Sequence, residues 1–190
     1  MKTIVYLHGF ISSPQSKKAV MLGDYLANCV TGVEYRVPNL HHRPSAAMDE
    51  VQAACRGTAV EDLTLVGSSL GGFYATVAAE RLGCRAALLN PAVRPHAYFD
   101  RYLGPQVNLY TGERFVLGPG HVADLEALQP AGITRPERYW LFVETGDAVL
   151  DYREAVDFYR DALATVVRGG DHALASFPEH VPEIVEWAKS

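Results

Sequence analysis

Three short stretches of this chain carry side chains that together could cleave an acyl bond: Gly67-Ser68-Ser69-Leu70-Gly71, Asp147 in Glu144-Thr145-Gly146-Asp147, and His172 in Gly169-Gly170-Asp171-His172. A serine hydroxyl is a weak nucleophile at neutral pH, so it needs a base to take its proton, and the base needs a carboxylate to orient it. The first stretch fits G-x-S-x-G, a turn that holds a serine exposed between a strand and a helix. Its frame follows from sterics. Minimal side chains are needed two residues either side of the strained serine, so Ser69 is the candidate nucleophile; choosing Ser68 would ask Val66 and Leu70 to act as glycines.

On such a turn the partners are expected in the order serine, acid, histidine, each just past the end of a later strand. Asp147 follows the apolar run Tyr139–Val143, and His172 follows Ala164–Val167 with two glycines that free the backbone to turn the ring inward. Glu144 and Asp151 are alternatives for the acid, while Asp171, adjacent to the histidine, is expected to point away from it. A tetrahedral intermediate also needs backbone N–H donors for its oxyanion. The expected donors are Leu70, the residue after the serine, and Phe10, in the loop after the first strand. His8, just before that loop, is read as structural.

These residues must be positioned by the elements around them. Short apolar runs near 3–7, 33–37, 63–66, 85–89, 139–143 and 164–167 alternate with helical patterns near 15–29, 45–56, 72–82, 152–162 and 181–189. That rhythm predicts an α/β fold, a mostly parallel six-stranded sheet with helices on both faces. Ser13-Pro14 and Pro44-Ser45 are expected to open the first two helices, each with a capping hydroxyl. Thr3–Leu7 reads as the first strand and not as a secretory leader, because His8-Gly9 interrupts the apolar run and no cleavage pattern follows.

The chain of 190 residues is read as a single domain, 1–190. Residues 91–138 break the rhythm: prolines 91, 95, 105, 119, 130 and 136 accompany apolar residues such as Tyr98, Phe99, Leu103, Tyr110 and Phe115. Disordered segments are poor in aromatics, so this span is expected to form a small cap-like insertion over the site.

No apolar run is long enough to span a membrane. A net charge of −5 gives no basic footprint for nucleic acid. Three cysteines without CxxC spacing suggest neither a disulfide framework nor a zinc site and fit a reducing cytoplasm. His41 and His42 are adjacent, which on extended chain splays their rings, and His96, His121 and His180 show no two-ligand spacing, so neither a metal nor another cofactor is expected. A dinucleotide-binding reading of Gly67–Gly72 lacks both G-x-G-x-x-G and the acidic residue about 20 positions on. A hydrolase fold used only for binding is the remaining alternative.

The pattern resembles the α/β-hydrolase superfamily. More closely, the stretches YLHGFISSPQSKK, LVGSSLGGFYAT, LNPAVRP, TGDAVLDYREAV and GGDHA resemble the YqiA-like esterases. The resemblance implies an α/β-hydrolase fold lacking the superfamily's first two strands, with strand order 2-1-3-4-5-6 and the serine turn after the third. It also implies hydrolysis of small acyl esters or thioesters, with Ser69, Asp147 and His172 as the triad. Asn90-Pro91-Ala92 and Arg94 match the family as well. Asn90 is a candidate brace for the turn or the acid loop, Arg94 a candidate contact for an acidic substrate group, and Tyr98 and Phe99 candidates for the acyl side. Ala148 stands where the family has an acidic or polar residue. The sequence does not address the oligomeric state.

Overall fold

A computed structural model describes residues 1–190. The elements, in chain order, are β1 (Lys2–Leu7), α1 (Lys17–Cys29), β2 (Val33–Arg36), α2 (Pro44–Cys55), β3 (Leu63–Ser68), α3 (Leu70–Leu82) and β4 (Arg85–Leu89), then β5 (Gly104–Val107), β6 (Arg114–Leu117), α4 (Pro119–Leu128), β7 (Tyr139–Glu144), α5 (Tyr152–Phe158), β8 (Leu163–Val167) and α6 (Phe177–Lys189). Six strands form one all-parallel sheet in the order β2-β1-β3-β4-β7-β8, the expected order once the separate antiparallel hairpin β5–β6 is set aside.

Alternation along each strand divides the core into two layers. Val5 and Leu7 of β1, Leu65 of β3, Leu88 of β4 and Leu141 of β7 face one side, under α2, α3 and α5. Ile4 and Tyr6, Val66, Leu89 and Phe142 face the other, under α1 and α6. The first ten residues of α3 are all buried, as expected of a helix apolar nearly all round. Phe99, Leu117 and Leu125, all from residues 91–138, join the α3 layer.

The sheet's two edges differ. On β2, Arg36 pairs with Glu34 through both carboxylate oxygens and donates to the carbonyls of Ala54 and Arg56. On β8, Leu163 and Val166 are exposed.

Several boundaries depart from expectation. Ser13 does not cap α1: its hydroxyl accepts from the N–H of Gln15 in a preceding turn, and the helix begins four residues later. Pro44 is the first residue of α2, but the Ser45 hydroxyl donates to Asp124 and caps nothing. The helix α5 is shorter than predicted because Asp161 adopts a positive φ of 73°. Its partner in sequence, α6, starts earlier than predicted. Pro178 lies in its first turn, where no N–H is required, and Pro182 falls inside it. Residues 91–138, expected as a cap-like insertion with no elements assigned, hold the hairpin β5–β6 and α4.

Candidate active site

Ser69 sits between β3 and α3 with φ 55° and ψ −121°, a conformation side-chain-bearing residues rarely adopt. The flanking glycines explain how. A Cβ on Gly71 would run into the carbonyl oxygen of Leu7, and one on Gly67 into the carbonyl oxygen of Gly71. The turn is tied to the end of β4: the Ser69 N–H donates to Leu89 O at 3.0 Å, and Ser69 O accepts from the Ala92 N–H at 3.0 Å.

The structure brings the three sequence-predicted residues into one hydrogen-bonded row. His172 Nε2 is 3.0 Å from Ser69 Oγ, and His172 Nδ1 is 2.7 Å from Asp147 Oδ2. A carboxylate only accepts, so the proton belongs on Nδ1 and the Nε2 lone pair faces the serine hydroxyl. Asp147 is nearly buried, its side chain 2% exposed, and its other oxygen accepts from the N–H groups of Val149 and Leu150 at 2.8 and 2.9 Å. The alternative acids have other partners. Asp151 caps α5 by accepting from the Arg153 N–H, and the Asp171 carboxylate accepts from the Ala173 N–H, away from the imidazole.

Glu144 does something that residue type and spacing did not announce. It is 1% exposed, and its carboxylate accepts from the N–H groups of Asp171 (2.6 Å), Ala175 (3.0 Å) and Ser176 (2.7 Å), gripping the segment that carries His172 from both sides. Asn90, at φ 41°, completes the grip: its side-chain N–H2 donates to the carbonyls of Asp171 and His172, and its Oδ1 accepts from the Glu144 N–H. Asn90 thus ties the histidine segment to Glu144, where the acid loop leaves β7, and its side chain does not bond to the serine turn. Gly170 is required here, since a Cβ would overlap the Glu144 carboxylate.

Burial by itself would raise the Glu144 carboxyl, but the hydrogen bonds from Ser176, Asp171 and Ala175 outweigh it and hold the group below the ordinary glutamate value. A depressed folded-state value stabilises the fold above the unfolded value and loses that contribution as pH falls through the folded one. Glu144→Gln should therefore lower the unfolding free energy by about 2–4 kcal/mol at pH 7. In urea titrations the gap to wild type should narrow as pH drops below about 4.3; a gap independent of pH would show that the charge is not what holds the segment.

The two N–H groups expected to meet an oxyanion are free of protein acceptors. The Phe10 N–H donates to no protein group, and that of Leu70, first in α3, has no intrahelical acceptor. His8 is a strut: its Nε2 accepts from the Leu40 N–H at 3.1 Å and its Nδ1 lies 3.0 Å from Gly9 O, so both nitrogens are occupied. Burial lowers its pKa, which keeps it neutral.

Ser69 and His172 open into a cavity of about 570 Å³. One end is aromatic, lined by Phe10, Tyr98, Phe99 and Tyr102, with the Phe10 and Phe99 rings edge to face at 4.9 Å. Arg94 departs from expectation: it is exposed, forms no ion pair and does not line the cavity, because the chain passes there into a 3-10 turn at Pro95–Ala97. The histidines need a correction too. The His41 and His42 rings lie 4.2 Å apart instead of splayed, because the chain bends at His42-Arg43, and His42 Nδ1 meets His121 Nε2 at 3.1 Å. No group of three or more His, Cys, Asp or Glu is arranged to hold a metal ion. No helix is long and apolar enough to cross a membrane.

Comparison with known proteins agrees with this architecture. Alpha/beta hydrolase domain-containing protein 10 from mouse superposes with a TM-score of 0.76 at 16% identity, covering 98% of this chain and 89% of that one. Est1E from Butyrivibrio proteoclasticus gives 0.69 at 16%, over 99% and 88%. The esterase domain of a Rhodothermus marinus protein gives 0.66 at 18%, over 99% and 86%. The profile of an uncharacterised protein family, UPF0227, matches residues 3–189. The chain therefore has the α/β-hydrolase fold and belongs to UPF0227, the family of the YqiA-like esterases.

Proposed function

We propose that the protein is a serine hydrolase that cleaves small acyl esters or thioesters through an acyl-enzyme. The observation that carries this reading is the unbroken row from Asp147 through His172 to Ser69 at the wall of an apolar cavity. Ser69 Oγ attacks the carbonyl carbon as its proton passes to His172 Nε2, and the negative charge on the former carbonyl oxygen is met by the Phe10 and Leu70 N–H groups. Collapse breaks the bond to the leaving oxygen or sulfur, which takes the proton from His172. Water then attacks the acyl-enzyme by the same route, with His172 again accepting and returning the proton.

Residues 91–138 serve as a small cap within a single hydrolase domain, and Tyr98 and Phe99 hold the acyl group. The aromatic end suits short to medium acyl chains. A cytoplasmic location is consistent with three free cysteines, two of them buried. Incubation with a fluorophosphonate followed by peptide mass analysis should find the adduct on the peptide carrying Ser69. An unmodified protein under conditions that label a control serine esterase would favour a fold used for binding alone.

A further inference from the structure

Part of the cavity wall is polar and has its own chemistry. It carries Tyr6, Ser12, Ser16, Lys17, Lys18 and Ser68. The 20 lining residues include two lysines and no Asp or Glu; the Asp171 and Glu144 carboxylates lie near Lys18, so the unbalanced positive charge of this wall is that of Lys17. Tyr6 is 1% exposed, and its hydroxyl lies beside those of Ser16 and Ser68 with no carbonyl or carboxylate accepting from it. The buried Ser16 hydroxyl likewise meets no carbonyl or carboxylate. Three hydroxyls joined by two such contacts use two of their three O–H protons and leave one free to donate.

Two further features point the same way. Lys17 and Lys18 are the first residues of α1, a 13-residue helix, so their N–H groups have no intrahelical acceptor and the positive end of the helix faces this wall. The Lys18 ammonium is spent on the Ala173 carbonyl at 2.8 Å, whereas that of Lys17 forms no ion pair.

Resting on the serine-hydrolase reading, we infer that this polar wall of the cavity binds an anionic group, a phosphate or a carboxylate, carried on the leaving half of the substrate. The leaving oxygen or sulfur must take its proton from His172 Nε2. Ala173, next to that histidine in the chain, belongs to the same wall and anchors Lys18 there. The acyl half occupies the aromatic end. The substrates are therefore acyl esters or thioesters of acidic alcohols or thiols.

The test compares butyryl esters of 2-hydroxyethyl phosphate, of glycolate and of the neutral 2-methoxyethanol. With the wild-type protein at low salt, kcat/KM for the preferred anionic ester should exceed that of the neutral ester by about tenfold, falling with added salt. The phosphate and carboxylate arms identify which anion is preferred. Lys17→Ala and Tyr6→Phe should bring the anionic-to-neutral ratio to within about twofold of one, a ratio that general damage to the fold would not move. A wild-type ratio near one for both anions overturns the inference.

Binding separates this outcome from failure of the hydrolase reading itself. Ser69→Ala protein, titrated by NMR with 2-hydroxyethyl phosphate, glycolate and 2-methoxyethanol, should bind at least one of the two anions more tightly than the neutral alcohol whether or not any ester is turned over. Equal binding of all three rejects the anion site.

Discussion

Ser69→Ala should reduce ester turnover by about a million-fold, the scale on which loss of a triad nucleophile is felt. What survives would be the contribution of substrate binding and the oxyanion donors, about 10³–10⁴ over water. The substitution is a clean probe because it changes so little else. Alanine keeps a Cβ, so the positive φ at this position is no more and no less strained, and the backbone hydrogen bonds of residue 69 to Leu89 and Ala92 do not involve the side chain. Urea titration should place its stability within about 0.5 kcal/mol of wild type, as for a substitution away from structural features. A variant retaining turnover within tenfold of wild type on 4-nitrophenyl butyrate would remove Ser69 from the mechanism.

Asp147→Asn should lower kcat by about 10⁴ with little change in KM. The reason lies in which way the new amide must face. One Asp147 oxygen accepts from the N–H groups of Val149 and Leu150, so the asparagine carbonyl is held on those donors and its N–H2 is turned toward His172 Nδ1. Nδ1 must then accept, its proton moves to Nε2, and the lone pair that would receive the Ser69 proton is lost. The fold is expected to survive because the two backbone contacts remain. A loss smaller than tenfold under saturating ester would show that the carboxylate does not govern the tautomer.

The fold was legible because its signal is periodic and redundant. Each interior strand is a continuous apolar run, the helices between them carry 3.6-residue spacing, and the glycine-flanked serine sits at a strand end that only one frame satisfies. Asp147 and His172 were legible for a related reason, since each follows a strand and lies within two residues of a glycine. Less legible were the groups that act across the sheet. Nothing local in the sequence says that Glu144, last residue of β7, turns its carboxylate to three N–H groups about 30 positions on, or that Asn90 reaches the same segment. The hairpin β5–β6 was missed because its four-residue strands show little alternation, with Val107 and Val116 both exposed. Arg94 misled because a motif match carries no information about where the side chain goes.

The contrast between the two borders of the sheet has a consequence for how the molecule behaves in company. A border strand offers unpaired backbone groups to any extended segment that drifts against it, and charge discourages such docking while bare aliphatic surface invites it. The Arg36–Glu34 pair guards the β2 border, and the aliphatic side chains of Leu163 and Val166 leave the β8 border unguarded. Unwanted strand-to-strand association between crowded copies is therefore directed to the β8 rim.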